Sequence, residues 1–190
     1  MDRPPAFRQP VRAAALGAAL AVSMALFSAE AHAQSPEPHD DRPVFAFLSE
    51  LADHRCEIRE AWPNGQPFRL DSEFASRLDG RIVTVESFIV DEEGRRQPRN
   101  HGIRAYPQDA EGARFWEFDY LGNVTEGSVW VEAGTLHYEY DYNGQTLRDS
   151  WSPAGGHAYN FKVRVWEDGD WGATYMDGTY HCKPIATAGG

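Results

Sequence analysis

Residues 113–152 read ARFWEFDYLGNVTEGSVWVEAGTLHYEYDYNGQTLRDSWS, and this stretch decides the fold. Apolar and polar residues alternate through four short segments, which are separated by the turn sequences LGN, EAG and NG. Alternation with a period of two is typical of β-strands that have one buried face. Asn-Gly supplies the positive φ angles that tight hairpins need. Because the connections leave no room for crossover helices, the stretch predicts antiparallel hairpins.

The same pattern extends on both sides and gives about ten candidate strands. They are residues 56–61, 67–78, 81–90, 98–106, 113–120, 123–132, 135–142, 145–152, 157–166 and 171–182. Before them, residues 44–55 have apolar side chains at helical spacing, which predicts a short amphipathic helix. The predicted fold class is mainly β: an up-and-down antiparallel β-barrel of about ten strands with one short N-terminal helix. A sandwich of two sheets is the alternative.

The chain contains two cysteines, Cys56 at the start of the first candidate strand and Cys182 at the end of the last. In an up-and-down barrel these two strands are neighbours. An even pair of cysteines in an exported protein is typical of a disulfide. We therefore expect a Cys56–Cys182 bridge that closes the barrel.

The N-terminus has the pattern of a signal peptide. Arg3, Arg8 and Arg12 precede an apolar run at 13–27, and the small-residue sequence AHA follows at 31–33. The expected organisation is a signal peptide at 1–33, a disordered lead-in at 34–43, a barrel domain at 44–184 and a flexible tail at 185–190. The expected location is the periplasm or the extracellular medium.

The charge of the chain argues against several classes of partner. The formal net charge is −11 at pH 7, lysine occurs only at Lys162 and Lys183, and the arginines form no basic stripe. Nucleic acids and anionic membrane surfaces both require clustered positive charge, so neither is an expected partner. The apolar run at 13–27 is also too short for a spanning helix, so we expect no stable membrane insertion.

A repeated motif determines what we expect inside the barrel. WEFDYLG (116–122) recurs 22 residues later as YEYDYNG (138–144), and a step across one intervening strand restores the strand direction. Burying a carboxylate costs several kcal/mol, whereas burying an aromatic ring gains roughly 1.5 to 3 kcal/mol. The aromatic residues should therefore point inward, namely Trp116, Phe118, Tyr138 and Tyr140. The acidic residues should form a solvated outer stripe, namely Glu117, Asp119, Glu139 and Asp141.

Near the C-terminus, RDSWS is followed by AYNFKVRVWEDGDW and DGTYHCKP. With the short helix and the run of strands, these motifs give a layout that resembles the calycin-like barrels, which include the lipocalins and the fatty-acid-binding proteins. Within this group, the arrangement of the helix and strands most resembles secreted lipocalin-like proteins of the DUF1579 type. The resemblance covers residues 44–184 and implies a barrel with an interior cavity, but no particular ligand.

A barrel of about ten strands is wider than its side chains need to fill, so we expect an aromatic-lined cavity. The predicted ligand-binding residues are Trp116, Phe118, Tyr138, Tyr140, His157, Tyr159, Arg104 and Arg148. The leading hypothesis is a binding protein for a small hydrophobic or amphipathic molecule, with no cofactor and no catalytic residue.

Two alternatives remain open. The first is an enzyme that uses carboxylates of the cavity, or a haem or metal protein that uses His137 or His181. The second is an interaction protein whose acidic stripe meets a cationic partner. The sequence contains no G-x-S-x-G, H-E-x-x-H or P-loop motif and no metal-ligand spacing, which favours the binding protein. The oligomeric state stays open.

Overall fold

A computed structural model describes residues 43–185, apart from residues 63 and 109 and the side chain of residue 173. Helix α1 spans Pro43–Leu51. The strands that follow are β1 (His54–Ala61), β2 (Pro67–Arg77), β3 (Ile82–Val90), β4 (Arg96–Ala105), β5 (Ala113–Asp119), β6 (Val124–Glu132), β7 (Thr135–Tyr142), β8 (Gln145–Gly155), β9 (Ala158–Glu167) and β10 (Asp170–Pro184). The expected signal peptide, the lead-in up to residue 42 and the tail after residue 185 lie outside the described residues.

The strands form a closed barrel in which each strand pairs with its sequence neighbours and β1 pairs with β10. All of these pairs are antiparallel. The predicted fold class is therefore confirmed. The two-sheet sandwich is wrong, because the ladder of backbone hydrogen bonds continues across the seam.

The seam between β1 and β10 is short. Its backbone register runs over four residue pairs, from His54 opposite Pro184 to Glu57 opposite His181. Within it Cys56 lies directly opposite Cys182, and the two form the predicted disulfide. Beyond the paired region, side chains of β1 lie over Gly178, where an added Cβ would be only 2.6 Å from Cγ of Glu60.

Helix α1 closes one end of the barrel. It ends at Leu51 rather than at residue 55, because Asp53 takes a positive φ of 59° and the chain enters β1 at His54. The Asp53 N–H donates to the carbonyl of Phe74. Phe47 packs on Tyr159 of β9 with ring centroids 5.7 Å apart. Among the described residues, no helix has the length and apolar character needed to cross a membrane.

Aromatic rings fill much of the barrel. Trp151 stacks on Tyr180 with a centroid distance of 4.2 Å, and the edges of Phe74 and Phe161 pack against it. Burial stabilises such rings by roughly 2 kcal/mol each. These buried aromatic clusters are compatible with ligand binding.

Removal of the disulfide should destabilise the barrel strongly, since the bridge spans 126 residues of sequence and joins a seam of few backbone pairs. We expect Cys56→Ser/Cys182→Ser to lower the free energy of unfolding by about 4 kcal/mol, chiefly because the unfolded chain gains freedom. Urea denaturation of the oxidised wild type and the double variant measures this difference. The same stability for both proteins would contradict a role for the bridge in holding the seam.

Candidate functional site

The two copies of the repeated motif face opposite sides of the barrel wall. Residues that lie directly opposite each other on adjacent strands point to the same face of the sheet. Phe115 lies opposite Gly127, and Gly127 lies opposite Tyr140, so residues at equivalent heights on β5 and β7 that share a face are 25 positions apart. The motif repeats after 22 positions, as in Trp116 and Tyr138. The difference is three, an odd number, and each single step along a strand changes the face. Equivalent positions of the motif therefore point in opposite directions.

The inward orientation predicted for Trp116 and Phe118 is consequently wrong. Phe115, which directly precedes Trp116 and faces the other side of β5, is 2% exposed, whereas Phe118 is 41% exposed. Glu117 shares the inner face with Phe115, so the predicted outer stripe of four acids does not form. Asp119 lies at the end of β5 and caps the turn, where it accepts hydrogen bonds from the N–H groups of Leu121 and Asn123.

In β7 the prediction holds. Tyr138 is buried on the inner face, and Tyr140 lies on the same side. Phe115 packs edge-on against both rings, at centroid distances of 5.2 and 5.7 Å. Glu139 and Asp141 lie on the outer face, as expected.

An ion pair lies inside the barrel. Arg104 of β4 is 5% exposed, and its Nη2 donates to Oε1 of Glu117 at 2.5 Å. Its Nε approaches the Tyr138 hydroxyl oxygen at 3.4 Å. Asn100 donates to the second oxygen of Glu117 at 3.1 Å. Burial raises the pKa of Glu117, but Arg104 and Asn100 outweigh this effect and leave the pKa below its ordinary value.

Gly102 makes room for this pair. It lies opposite Glu117 and two residues before Arg104 on the same inner face. An ideal Cβ at this position would lie 1.9 Å from Nη1 of Arg104 and 3.2 Å from Cγ of Glu117. The guanidinium group therefore lies directly over the glycine backbone.

One nitrogen of Arg104 is unsatisfied. Within the described part of the chain, its buried Nη1 has no hydrogen-bond acceptor. A buried polar group without a partner costs roughly 1 to 3 kcal/mol, so such groups are rare in folded proteins. Nη1 is thus a donor that a bound molecule could satisfy.

A second carboxyl group, Asp149 of β8, completes the cluster. Tyr140 donates its hydroxyl to Oδ1 of Asp149 at 3.1 Å. No salt bridge to Asp149 occurs among the described residues, in contrast to Glu117. Burial raises the pKa of Asp149 to about 7, because it disfavours the charged form, and the negative charge of Glu117 adds to this rise.

A β-bulge brings a second arginine close to these groups. The β3–β4 register passes from Ser87 opposite Asn100 to Phe88 opposite Pro98, so Arg99 is the extra residue. Bulges commonly redirect a side chain in this way. Burial raises the pKa of Asp149, Tyr140 and Tyr180, and the positive charge of Arg99 opposes that rise in each case.

The cluster extends from the interior to solvent. Arg104 and Tyr138 are buried, whereas the Glu117 side chain is 26% exposed and Tyr140 and Asp149 are also partly exposed. Glu117 and Tyr140 lie toward the end of the barrel that carries the β5–β6 and β7–β8 turns, opposite the end at which α1 packs. We call Asn100, Arg104, Glu117, Tyr138, Tyr140, Asp149 and the neighbouring Arg99 the interior polar cluster.

The remaining predicted ligand-binding residues lie elsewhere. Tyr159 is buried against Phe47 and Trp151, near α1. His157 does not lie on the inner face of β9, because the turn includes it: its φ is 61° and its side chain is exposed. Arg148 lies on the outer face, where it donates to Glu139 at 2.6 Å and covers the Trp171 ring at 3.9 Å.

The histidines suggested for a haem or metal site are also outside the barrel. His137 stacks on Trp130 on the outer face and hydrogen-bonds to Ser150, and burial together with the nearby Arg148 lowers its pKa. His181 is exposed on β10. Within the described ranges, no group of three or more His, Cys, Asp or Glu residues could hold a metal ion.

The outer wall carries a separate network of ion pairs. Asp71 contacts Arg59 at 2.6 Å and Arg96 at 3.0 Å, while Glu73 contacts Arg55 and Arg96. A shallow groove of about 330 Å³ lies over this network. Nε of Arg96 is buried and makes no hydrogen bond within the described part of the chain, but it lies 3.0 Å from Oδ2 of Asp71, so its charge is compensated. Another groove, of about 300 Å³, lies at the β1–β2 turn beside Trp62 and Tyr175.

No protein-family model matches the chain, and no match is found among curated proteins. The predicted similarity to DUF1579-type proteins therefore has no support from a family match. The closed ten-stranded antiparallel barrel is consistent with a calycin-like fold.

Sequence reasoning missed Glu117, Asn100, Arg99 and Asp149. The inward direction of Glu117 could have been predicted from the lengths of the turns on either side of β6. Asp119 pairs with Asn123 around a three-residue turn, whereas Glu132 pairs with Thr135 around a two-residue turn. An odd turn followed by an even one shifts the two motifs to opposite faces. The bulge that displaces Arg99 has no comparable signal in the sequence.

The two glutamates of the repeated motif should respond differently to the same substitution. Glu117→Gln should lower the free energy of unfolding by about 2 kcal/mol, because it leaves the buried Arg104 without a counter-charge. Glu139→Gln should change it by less than about 1 kcal/mol, because its pair with Arg148 is partly solvated. Urea denaturation of both variants checks this, and equal losses would contradict the interior location of Glu117.

Asp149 should make stability depend on pH. The folded pKa is about 7, and the unfolded value is about 3.9. The folded state therefore binds more protons between these values, so the contribution of Asp149 to stability falls as pH rises from about 4 to about 7. Above this range Asp149→Asn should be more stable than the wild type by up to about 4 kcal/mol, and at about pH 4 the two should converge.

Thermal or urea unfolding across this pH range provides the test. The exposed outer-face variant Asp141→Asn is the control. A stability difference between Asp149→Asn and the wild type that stays constant with pH would show that Asp149 does not titrate in this way.

Proposed function

We propose that this protein is an exported binding protein that holds a small amphipathic molecule at the open end of its barrel. The polar end of the ligand contacts the interior polar cluster, and its apolar part packs against neighbouring aromatic rings. The observation that carries the proposal is the unsatisfied Nη1 of Arg104 on a side chain that is 6% exposed. A ligand oxygen at this position would remove the cost of an unpaired buried donor.

The surroundings of Arg104 support the same function. Phe115, Tyr138 and Tyr140 form a ring cluster beside the guanidinium group. Binding sites for small molecules combine mainly apolar walls with a few convergent polar groups. The cluster also reaches solvent through Glu117, Tyr140 and Asp149, which provides a route of entry. Catalysis is not needed to explain this arrangement.

Export is part of the proposal. The Cys56–Cys182 disulfide fits an oxidising compartment, where such bridges form and persist. The signal-peptide pattern at 1–33 supports the same location.

Single-chain amphiphiles provide the test. Native mass spectrometry of the purified protein should find a co-purified small molecule. Titration with decanoate and decanol, followed by intrinsic tryptophan fluorescence, should show saturable binding and a raised melting temperature. The absence of a co-purified molecule, of saturable binding and of any thermal shift across the panel would refute the proposal.

Arg104→Lys tests the position of the site. Lysine keeps the charge that pairs with Glu117 but lacks the forked N–H groups, so the barrel should fold while amphiphile binding weakens by about tenfold. Arg148→Lys is the matched control, because Arg148 lies on the outer face beside Glu139. Equal effects of the two substitutions on binding would place the ligand elsewhere.

A further inference from the structure

The interior polar cluster is rich in hydrogen-bond donors. Nη1 of Arg104 has no acceptor within the described part of the chain. The Tyr138 hydroxyl oxygen faces Nε of Arg104, which leaves its own hydrogen free to be donated. A ligand group that accepts hydrogen bonds fits these atoms, whereas an ammonium group would face the positive charge of Arg104.

The charges of the cluster leave one arginine uncompensated. Glu117 pairs with Arg104 at 2.5 Å. Arg99 has no salt bridge among the described residues, and its charge acts on Asp149, Glu117, Tyr140 and Tyr180. When Asp149 is ionised, the two negative charges of Asp149 and Glu117 balance the two positive charges of Arg99 and Arg104. When Asp149 is protonated, the cluster has a net charge of +1.

The geometry points to an anionic ligand: the negative end of the amphiphile binds beside Arg104 and Arg99, and Asp149 takes up one proton from water as the anion enters. This inference rests on the proposed function and names the ligand class of the same site. The proton forms an O–H bond on the Asp149 carboxyl, and no covalent bond of the ligand changes. Tyr140 continues to donate to Oδ1 of Asp149, so the neutral carboxyl keeps a hydrogen-bond partner.

The groups that face Asp149 decide the direction of the effect. They are Arg99 and Arg104 on β4, Glu117 on β5, Tyr138 and Tyr140 on β7, and Tyr180 on β10. An added anion joins Glu117 in repelling the ionised form of Asp149. Protonation and anion binding therefore favour one another, so anion affinity should fall as pH rises above about 7.

Three amphiphiles of equal chain length separate the possibilities. Decanesulfonate stays anionic at every pH used, decanol is neutral, and decyltrimethylammonium is a permanent cation. Isothermal titration below the micelle concentrations should show decanesulfonate binding about tenfold more weakly at about pH 8.5 than at about pH 6. Decanol affinity should stay constant. Buffers with different ionisation enthalpies should report uptake of up to one proton per bound sulfonate.

Two variants assign the effect to named residues. Asp149→Asn should bind decanesulfonate with an affinity that no longer changes with pH, whereas Asp141→Asn on the outer face should behave like the wild type. Arg99→Gln should weaken the binding of decanesulfonate but not that of decanol. Arg164→Gln, which alters an outer-face arginine bonded to the backbone of Trp171 and Gly172, is its control.

The outcomes distinguish this inference from the proposed function. Decanesulfonate binding without pH dependence, or tighter binding of decyltrimethylammonium, would overturn the anionic, proton-coupled site while the binding function stands. Failure of all three amphiphiles to bind would overturn the binding function, and the inference with it.

Discussion

The lengths of two turns determine which side chains of β5 and β7 face the barrel interior. The β5–β6 turn contains three residues between Asp119 and Asn123, and the β6–β7 turn contains two between Glu132 and Thr135. Because side chains alternate along a strand, one residue more or fewer in the β5–β6 turn would exchange the inner and outer faces of β5 relative to β6. Glu117 would then lie in solvent, and Trp116 and Phe118 would enter the barrel. The interior polar cluster depends on this register.

Placing charges inside a barrel is costly unless each charge has a partner. Arg104 and Glu117 form an ion pair, so each charge has a partner. Gly102 leaves the space that the guanidinium group of Arg104 occupies. Two features remain uncompensated: Nη1 of Arg104 lacks an acceptor, and Asp149 lacks a cation at ion-pair distance within the described residues. Groups that are held unsatisfied in an otherwise packed interior are typical of functional sites. The outer groove also contains a buried donor without a hydrogen bond, Nε of Arg96, but that arginine is paired with Asp71 and Glu73. We therefore assign the site to the cluster, where the carboxyl of Asp149 has no cationic partner at ion-pair distance among the described residues.

The two ends of the barrel have different compositions. Helix α1 closes one end with apolar contacts such as Phe47 on Tyr159, and the rings around Trp151 and Tyr180 fill the interior. Toward the other end lie Glu117, Tyr140 and Asp149 of the interior polar cluster, which are partly exposed to solvent. The disulfide at the short seam keeps β1 and β10 together along one side. The apolar packing and the disulfide thus hold together the strands that carry the polar groups.

Local sequence patterns determined the strands and the turns, because alternation and turn residues act over short distances. The closed barrel followed from the number of strands and the short connections, and the Cys56–Cys182 bridge from the positions of the cysteines in the first and last strands. The inward direction of Tyr138 and Tyr140 also followed from them. The same reasoning failed for Trp116 and Phe118, since it compared the cost of burying one strand's acids with the gain from its aromatics. It could not see that Arg104, on a neighbouring strand, neutralises Glu117.

The cluster itself was decided only by the tertiary structure. Register across three strands brings Arg104, Glu117 and Tyr138 together, a bulge displaces Arg99, and pairing of β7 with β8 places Asp149 beside Tyr140. Each of these contacts joins residues of different strands, and Arg104 and Tyr138 are 34 positions apart in sequence. The sequence by itself determined which segments form the wall, because that depends on local alternation. Which side chains meet inside depends on the register between neighbouring strands, and that register is set by the turn lengths and bulges around the barrel.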